Sequence, residues 1–193
     1  GNNQNNWTLW EYQENLERSS FATNSWEYFD DDLENIKSLG VNSYRFSIEW
    51  SRIFPEENEI SEFALDRYES WCKKLLENNI EPMISLHHFT RPIWVEIKYG
   101  GFHNEKIIPE FLNYVKVVAS KLHKYVKYWI TFNEPLMEIV NGYIVGTRPP
   151  GYTDNMTYLN KALKNICIMH SRTYHLIHFF REDAMVGLAK NLT

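Results

Sequence analysis

Residues 128–135 have the sequence Tyr-Trp-Ile-Thr-Phe-Asn-Glu-Pro. The aromatic and β-branched run at its start is typical of a buried strand. Pro135 cannot donate a ladder hydrogen bond and disfavours helical backbone at the residue before it, so we expect the strand to end at Glu134. Glu134 then stands at the mouth of an apolar strand, where a carboxylate is costly to bury without a purpose. A solvated loop carboxylate is the alternative that this stretch alone leaves open.

Helical and extended patterns alternate along the rest of the chain. Each helical pattern carries an apolar stripe at helical spacing and is followed by a short strand-like run. The predicted helices cover residues 24–39, 61–77, 109–122 and 158–181. The predicted strands cover residues 42–50, 82–88, 128–133 and 184–190. Residues 1–23 lack sustained periodicity, so we expect a long loop with one helical turn there.

The strict alternation, without hairpin signals, predicts an α/β fold of parallel strands joined by right-handed helical crossovers. A doubly wound sheet is an alternative, but no Gly-rich phosphate turn follows any of the strands, which disfavours it. Polar residues stand at the C-terminal ends of the strands, where a (β/α)₈ TIM barrel carries its active site: Glu49, His87 with His88, Asn133 with Glu134, and Lys190 with Asn191. Four strands cannot close a barrel of eight. We therefore predict that residues 1–193 form a single, incomplete (β/α)₈ barrel domain.

Composition excludes several classes of protein. The chain is 44% hydrophobic and 23% charged, which indicates a globular protein. A net charge of -5 and the absence of a basic run argue against nucleic-acid binding. No apolar stretch is long enough to cross a bilayer, and no membrane partner is expected. Cys72 and Cys167 are interpreted as buried free thiols, which favours a cytoplasmic location, although their spacing leaves a disulfide open.

Four blocks of sequence together resemble glycoside hydrolase family 1. They stand in the family's order and spacing and cover roughly residues 40–152: residues 44–55, 86–89 with Pro92, 100–102, and 131–135. The resemblance implies a retaining β-glycosidase that acts on β-glucosides or β-galactosides and needs no cofactor and no metal. It also implies strands two to five of the barrel, with the fifth at residues 187–193. The family's first strand is then expected to precede Gly1.

The resemblance assigns a role to four positions. Glu134 matches the general acid/base of the family's Asn-Glu-Pro motif, and Asn133 matches the residue that binds the sugar 2-hydroxyl. His88 matches a histidine that contacts the 3-hydroxyl, and Arg45 matches the arginine that lies close to the nucleophile. Phe89 stands where many members have Trp, which leaves the sugar preference open.

Several of these residues have structural alternatives. Taken alone, Arg45 on a buried strand is interpreted as one half of a structural ion pair with a carboxylate. His87 and His88 are neighbours on a strand and point to opposite faces, so a shared metal ion is not expected and His87 is interpreted as a packing residue. The remaining candidates are interpreted as helix-surface, packing or core residues: His170, His175, His178, Trp50 and Tyr143.

The second carboxylate of a retaining glycosidase has no match in the chain. The family's nucleophile stands in an Ile/Val-Thr-Glu-Asn-Gly motif, and Glu49 and Glu138 lack that context. We therefore expect the nucleophile to lie beyond these 193 residues and the chain to be inactive alone. Two alternatives stay open: a non-catalytic homologue that binds carbohydrate or a partner, and a 6-phospho-β-glycosidase whose phosphate-binding residues would lie elsewhere.

Overall fold

The computed structural model describes residues 4–191. These residues form a parallel sheet and the helices that connect and flank its strands. In chain order the elements are α1 (Asn6–Gln13), α2 (Phe29–Ser38), β1 (Ser43–Ser47), α3 (Trp50–Ile53), α4 (Glu62–Glu77), β2 (Glu81–His87), α5 (Ile93–Tyr99), α6 (Ile107–Leu122), β3 (Tyr128–Asn133), α7 (Pro135–Tyr143), α8 (Met156–Phe180) and β4 (Met185–Ala189).

The four strands lie side by side in the order β1-β2-β3-β4, and every neighbouring pair is parallel. The predicted parallel arrangement is therefore confirmed. Ser43 pairs with Glu81 where β1 meets β2, and Met83 pairs with Tyr128 where β2 meets β3. The pairing of β3 with β4 shifts register between Ile130 and Asn133, just before the strand ends.

The core lies between the sheet and the helices. Phe46 on β1 packs against the rings of Tyr68 and Trp71 from α4. Helix α6 buries a complete apolar face, as its spacing predicts, and packs against α8. Arg45 points away from Phe46 along the strand and is exposed, which corrects the expectation that it is buried. The physical reason is that, within residues 4–191, helix α4 packs on the Phe46 face of β1, whereas the face that carries Arg45 stays open.

The N-terminal segment is more ordered than the sequence suggests. Residues 6–13 form α1, two turns long, and the side chain of Asn5 caps it by accepting from the backbone N–H groups of Trp7 and Thr8. The helix lacks an amphipathic stripe, so periodicity does not reveal it. The following helix begins at Phe29 and not at Asn24, because Asn24 has a left-handed backbone (φ 52°) that a helix cannot include.

Other boundaries also differ from the predictions. Strand β1 ends at Ser47, and Trp50 begins the short helix α3, which the Glu49 carboxylate caps. Helices α5 and α7 are additional to the predicted elements. Ser61 caps α4 as predicted, but Phe63 on that helix is 68% exposed and not part of its buried face.

Cysteines and core aromatics follow the predictions in part. Both cysteines are free, as expected; Cys72 is buried, but Cys167 is exposed on α8, which corrects the interpretation of two buried thiols. Trp50 and Tyr143 are core residues as predicted, each with about 1% of its surface exposed.

Two expectations concern residues at the ends of the chain. Residues 1–3 and 192–193 lie outside the described residues, so the expectations for the segment at Gly1–Asn3 and for the last two positions of the fifth strand concern residues that the structure does not describe. Within residues 4–191, no helix is both long and apolar enough to cross a membrane.

Candidate active site

Three of the four candidate residues stand at the C-terminal ends of neighbouring strands, and the fourth, Arg45, lies in the middle of β1. Arg45 lies on β1, His88 directly follows β2, and Asn133 with Glu134 ends β3. Because the strands are parallel and adjacent, their ends meet at one edge of the sheet. The sheet therefore gathers the four residues that the sequence singles out.

Glu134 has an unusual backbone. Its φ and ψ are 44° and 52°, a left-handed conformation that costs a non-glycine residue roughly 1–3 kcal/mol. Its N–H donates to the carbonyl of Ala189 on β4 at 2.7 Å. Its carbonyl accepts from Met137 at 3.0 Å and Glu138 at 3.3 Å, in the first turn of α7. This conformation turns the chain sharply from β3 into α7, with Pro135 at the first helical position.

Asn133 is held by a charged neighbour. It is 6% exposed, and its Oδ1 accepts a short hydrogen bond from Nη2 of Arg45. Arg45 also donates from Nε to Oγ of Ser85 on β2, at 2.9 Å. Among the described residues, the partners of Arg45 are thus an amide and a hydroxyl, and the carboxylate partner expected of a structural ion pair is not one of them.

His88 is exposed at the sheet edge, while the preceding His87 is buried, so the two rings part as predicted. Nδ1 of His88 lies 3.3 Å from Oγ of Ser47 on β1. Partial loss of water around its ring, together with the charge of Arg45, lowers the pKa of His88 below its ordinary value of 6.5. A neutral imidazole can both donate and accept, which suits contact with a hydroxyl group.

Helix α1 supports the loop that follows His88. The carbonyl of Phe89 accepts from Nδ2 of Asn6 at 3.3 Å and from Nε1 of Trp7 at 3.1 Å. Phe89 itself has a left-handed backbone (φ 70°). A cavity of about 480 Å³ opens beside His88, Phe89 and Glu49. Glu134 lines a separate, more apolar pocket of about 260 Å³, between α7, α8 and β4.

A buried ionic cluster lies beneath this edge, and no pattern in the sequence predicts it. Oε2 of Glu138, on α7, lies 2.7 Å from Nε2 of His87. Its Oε1 lies 2.9 Å from Nη1 of Arg91, whose Nε contacts Glu96 at 2.6 Å. His87 is therefore more than a packing residue. Burial alone would raise the pKa of Glu138, but His87 and Arg91 outweigh it and hold that pKa below its ordinary value.

Glu49 and Glu138 are the other two carboxylates that the sequence singles out, and both are engaged by neighbouring side chains. Glu138 is bound by His87 and Arg91, as above. Glu49 accepts from Oγ of Ser51 and from Oγ1 of Thr90, each at 2.8 Å. For residues 4–191, no group of three or more His, Cys, Asp or Glu side chains is arranged to hold a metal ion.

His170, on α8, contacts the sheet. Its Nδ1 lies 2.8 Å from Oγ1 of Thr131 on β3, which makes it a packing residue, as the sequence analysis allowed. His175 is exposed on α8, and His178 is half-buried on the same helix. The described part of the chain therefore gives these three histidines no shared site.

Comparisons with known proteins show which family and fold this chain is similar to. The family model described as "Glycosyl hydrolase family 1" matches residues 4–193. Beta-glucosidase A of Acetivibrio thermocellus is 34% identical and is aligned over 89% of this chain and 38% of its own length. A 6-phospho-beta-galactosidase of Clostridium acetobutylicum is 31% identical, over 89% of this chain and 36% of its own length.

A solved structure extends the likeness to the fold. The beta-glycosidase from Pyrococcus horikoshii superposes with a TM-score of 0.87 at 36% sequence identity, over 99% of this chain and 44% of that one. The predicted partial barrel is thereby confirmed. The chain spans less than half the length of each of these proteins.

Proposed function

The chain belongs to glycosyl hydrolase family 1, and from this premise we propose that the protein acts as a retaining β-glycosidase on β-glucosides or β-galactosides. The observation that carries the proposal is the Asn133-Glu134 pair at the end of β3, beside Arg45 and His88 from the two preceding strands. A small carbohydrate is the partner that this set of hydroxyl-binding groups fits.

In the first step, Glu134 acts as general acid. It donates its proton to the glycosidic oxygen while the bond from that oxygen to the anomeric carbon breaks. A second carboxylate attacks the same carbon and forms a glycosyl ester, so the leaving alcohol departs neutral. Asn133 and His88 bind the sugar 2- and 3-hydroxyls, and Arg45 holds the amide of Asn133 and lies close to the attacking carboxylate.

In the second step, Glu134 acts as general base. Its carboxylate takes a proton from water while the water oxygen attacks the anomeric carbon and the ester bond breaks. The sugar leaves with its original anomeric configuration, the second carboxylate is released as an anion, and Glu134 regains its proton. Two inversions at one carbon give net retention.

We propose that the second carboxylate comes from sequence outside residues 1–193. Retaining enzymes place their carboxyl groups roughly 5 to 5.5 Å apart. Glu49 and Glu138 are engaged by hydrogen bonds and ion pairs, as described above, which leaves neither free to attack a sugar. The 193-residue chain alone is then inactive. The free thiols Cys72 and Cys167 support a reducing, cytoplasmic location.

The test uses the complete polypeptide that contains these residues. We expect it to hydrolyse 4-nitrophenyl β-glucoside or β-galactoside, with the β-anomer appearing first in proton NMR spectra. Glu134→Gln should lower kcat about 10²–10⁴-fold, because it removes the general acid. The 193-residue chain, assayed beside it, should show no turnover. First appearance of the α-anomer, or an undiminished Glu134→Gln variant, would overturn the proposal.

A 6-phospho-β-glycosidase is the second candidate. The similarity to the Clostridium 6-phospho-beta-galactosidase favours it. A comparison of kcat/KM for 4-nitrophenyl β-galactoside with and without the 6-phosphate decides between the two activities. Sugar binding without turnover of either substrate would instead identify a non-catalytic homologue.

A further inference from the structure

We propose that Glu138 is a positioning residue that fixes the acid/base Glu134 through its buried hydrogen bond with His87 and its buried ion pair with Arg91. The proposal rests on the proposed function, since it assigns Glu138 a part in placing that acid. Glu138 itself touches no substrate, because its side chain is only 6% exposed and both carboxylate oxygens are engaged.

Glu138 is connected to Glu134 through one turn of helix. Its backbone N–H donates to the carbonyl of Glu134 at 3.3 Å. Its side chain reaches the other way, to His87 at the end of β2 at 2.7 Å and to Arg91 at 2.9 Å. The first turn of α7 is therefore tied to the strand that carries His88. A shift of this turn would move the Glu134 carboxyl relative to the sugar-binding side chains.

Glu134 is held from the opposite side as well. Its own N–H donates to Ala189 of β4 at 2.7 Å. Contacts from β4 on one side and, through Glu138, from β2 on the other bracket a residue whose backbone is left-handed. Such a conformation persists only where the surroundings over-determine it. On the β2 side, the contacts of Glu138 with His87 and Arg91 hold the first turn of α7, and with it Glu134, in place.

Stability alone does not account for this cluster. Replacing a buried ionic group by apolar side chains is often neutral or stabilising, so a cluster of this kind is a poor device for stability. It is also incompletely satisfied: within residues 4–191, Nδ1 of His87 and Nη2 of Arg91 have no hydrogen-bond partner. The cluster does fix the orientation of the Glu138 side chain, because each of its carboxylate oxygens has one partner at a defined distance.

The proposal has a chemical signature that a structural role lacks. Proton donation by Glu134 matters most when the leaving group is a poor one, such as phenolate. It matters little when the leaving group is 2,4-dinitrophenolate, which departs without a proton. Misplacing the acid therefore slows the first substrate and spares the second. Partial unfolding slows both equally, because it lowers the amount of active enzyme.

The decisive experiment compares Glu138→Gln with the wild type in the complete polypeptide. Gln keeps the size of the side chain, and Arg91 retains Glu96 as a charged partner, so the buried guanidinium is not stranded. We expect kcat/KM for the phenyl β-glycoside to fall about 10–100-fold, and that for the 2,4-dinitrophenyl β-glycoside by less than about 3-fold. Leu75→Ala, in the buried face of α4, is the matched control: it lowers Tm without changing the ratio of the two rates.

A second variant keeps the proposal testable if Glu138→Gln does not fold. His87→Asn removes one contact to Glu138 and leaves the Arg91 contact in place, and the same selective loss is expected in smaller degree. Equal losses on both substrates, in either variant, would overturn the positioning role. A wild type that cleaves neither substrate would instead refute the proposed function, so the two failures are distinguishable.

Discussion

Arg45 of β1 donates a hydrogen bond to the side-chain oxygen of Asn133 on β3, although β2 lies between the two strands. This contact uses the acceptor of the amide. The Nδ2 group, a donor, is therefore left for another partner. In the proposed mechanism that partner is the sugar 2-hydroxyl, and Arg45 decides which way the amide faces.

The first prediction concerns Asn133. Asn133→Ala should lower kcat/KM for a β-glucoside about 100-fold, because a hydrogen bond that tightens in the transition state is lost. For the 2-deoxy-β-glucoside, which lacks the hydroxyl, the loss should be less than about 3-fold. Steady-state kinetics on both substrates with the complete polypeptide measures this. Equal losses on the two would contradict the assigned contact.

The second prediction concerns backbone space at Gly101. Its φ is 112°, and an added Cβ would lie 2.6 Å from Oη of Tyr143. Gly101→Ala should lower the free energy of unfolding by about 2–4 kcal/mol, from backbone strain and overpacking together. Gly40→Ala is the matched control, since Gly40 also has positive φ but open space around it, and it should cost about 1–2 kcal/mol. Urea denaturation gives both values, and a smaller loss for Gly101→Ala would contradict the close packing.

The third prediction concerns pH. Because the folded protein holds the pKa of Glu138 below 4.5, the unfolded chain takes up a proton first as pH falls. The stability that this carboxylate contributes is thus complete above pH 4.5 and is lost as pH falls through the folded pKa. The difference in Tm between wild type and Glu138→Gln should be largest near pH 7 and should narrow below pH 4.5. A difference that widens in acid would contradict the ionised, paired state.

The fourth prediction concerns the two thiols. Burial raises the pKa of Cys72 to about 12, so it carries almost no thiolate at neutral pH. Cys167 is exposed on α8. Iodoacetamide should label Cys167 and spare Cys72 in the folded 193-residue chain, and should label both in guanidinium chloride, as read by peptide mass mapping. Labelling of Cys72 without denaturant would contradict the packing of α4.

Local patterns predict the four parallel strands well, although β1 ends at Ser47, three residues before its predicted end. The alternation of helical and extended hydrophobic patterns can be seen in short stretches of sequence. Because it implies parallel strands, it also implies that their C-terminal ends lie together. Helix α1 escaped prediction because its order depends on distant contacts, from Asn6 and Trp7 to the carbonyl of Phe89. Helix α7 escaped for another reason. Pro135 marks the end of a strand, yet proline is equally suited to the first position of a helix, which it occupies here.

The candidate site likewise has one part that the sequence predicts and another that it does not. Asn133, Glu134 and His88 stand at predicted strand ends, which singles them out from sequence, whereas Arg45 lies within β1 and is singled out only by the family resemblance. The contact between His87 and Glu138 joins residues 51 positions apart, and that between Arg91 and Glu138 joins residues 47 apart. No periodicity encodes such pairs. One signal was available: Glu138 stands among apolar residues on the buried side of α7, where an unpaired carboxylate would be costly.

The order of the strands in the sheet has a consequence for biosynthesis. Each strand pairs with the one synthesised just before it, as in the pairs Ser43 with Glu81 and Tyr128 with Met185. A growing chain can therefore add one strand and its helix at a time to an existing edge, and among the four strands of residues 4–191 none has to wait for a distant partner. The contact between Arg45 and Asn133 needs only β1, β2 and β3, so it can form during synthesis as soon as β3 has docked.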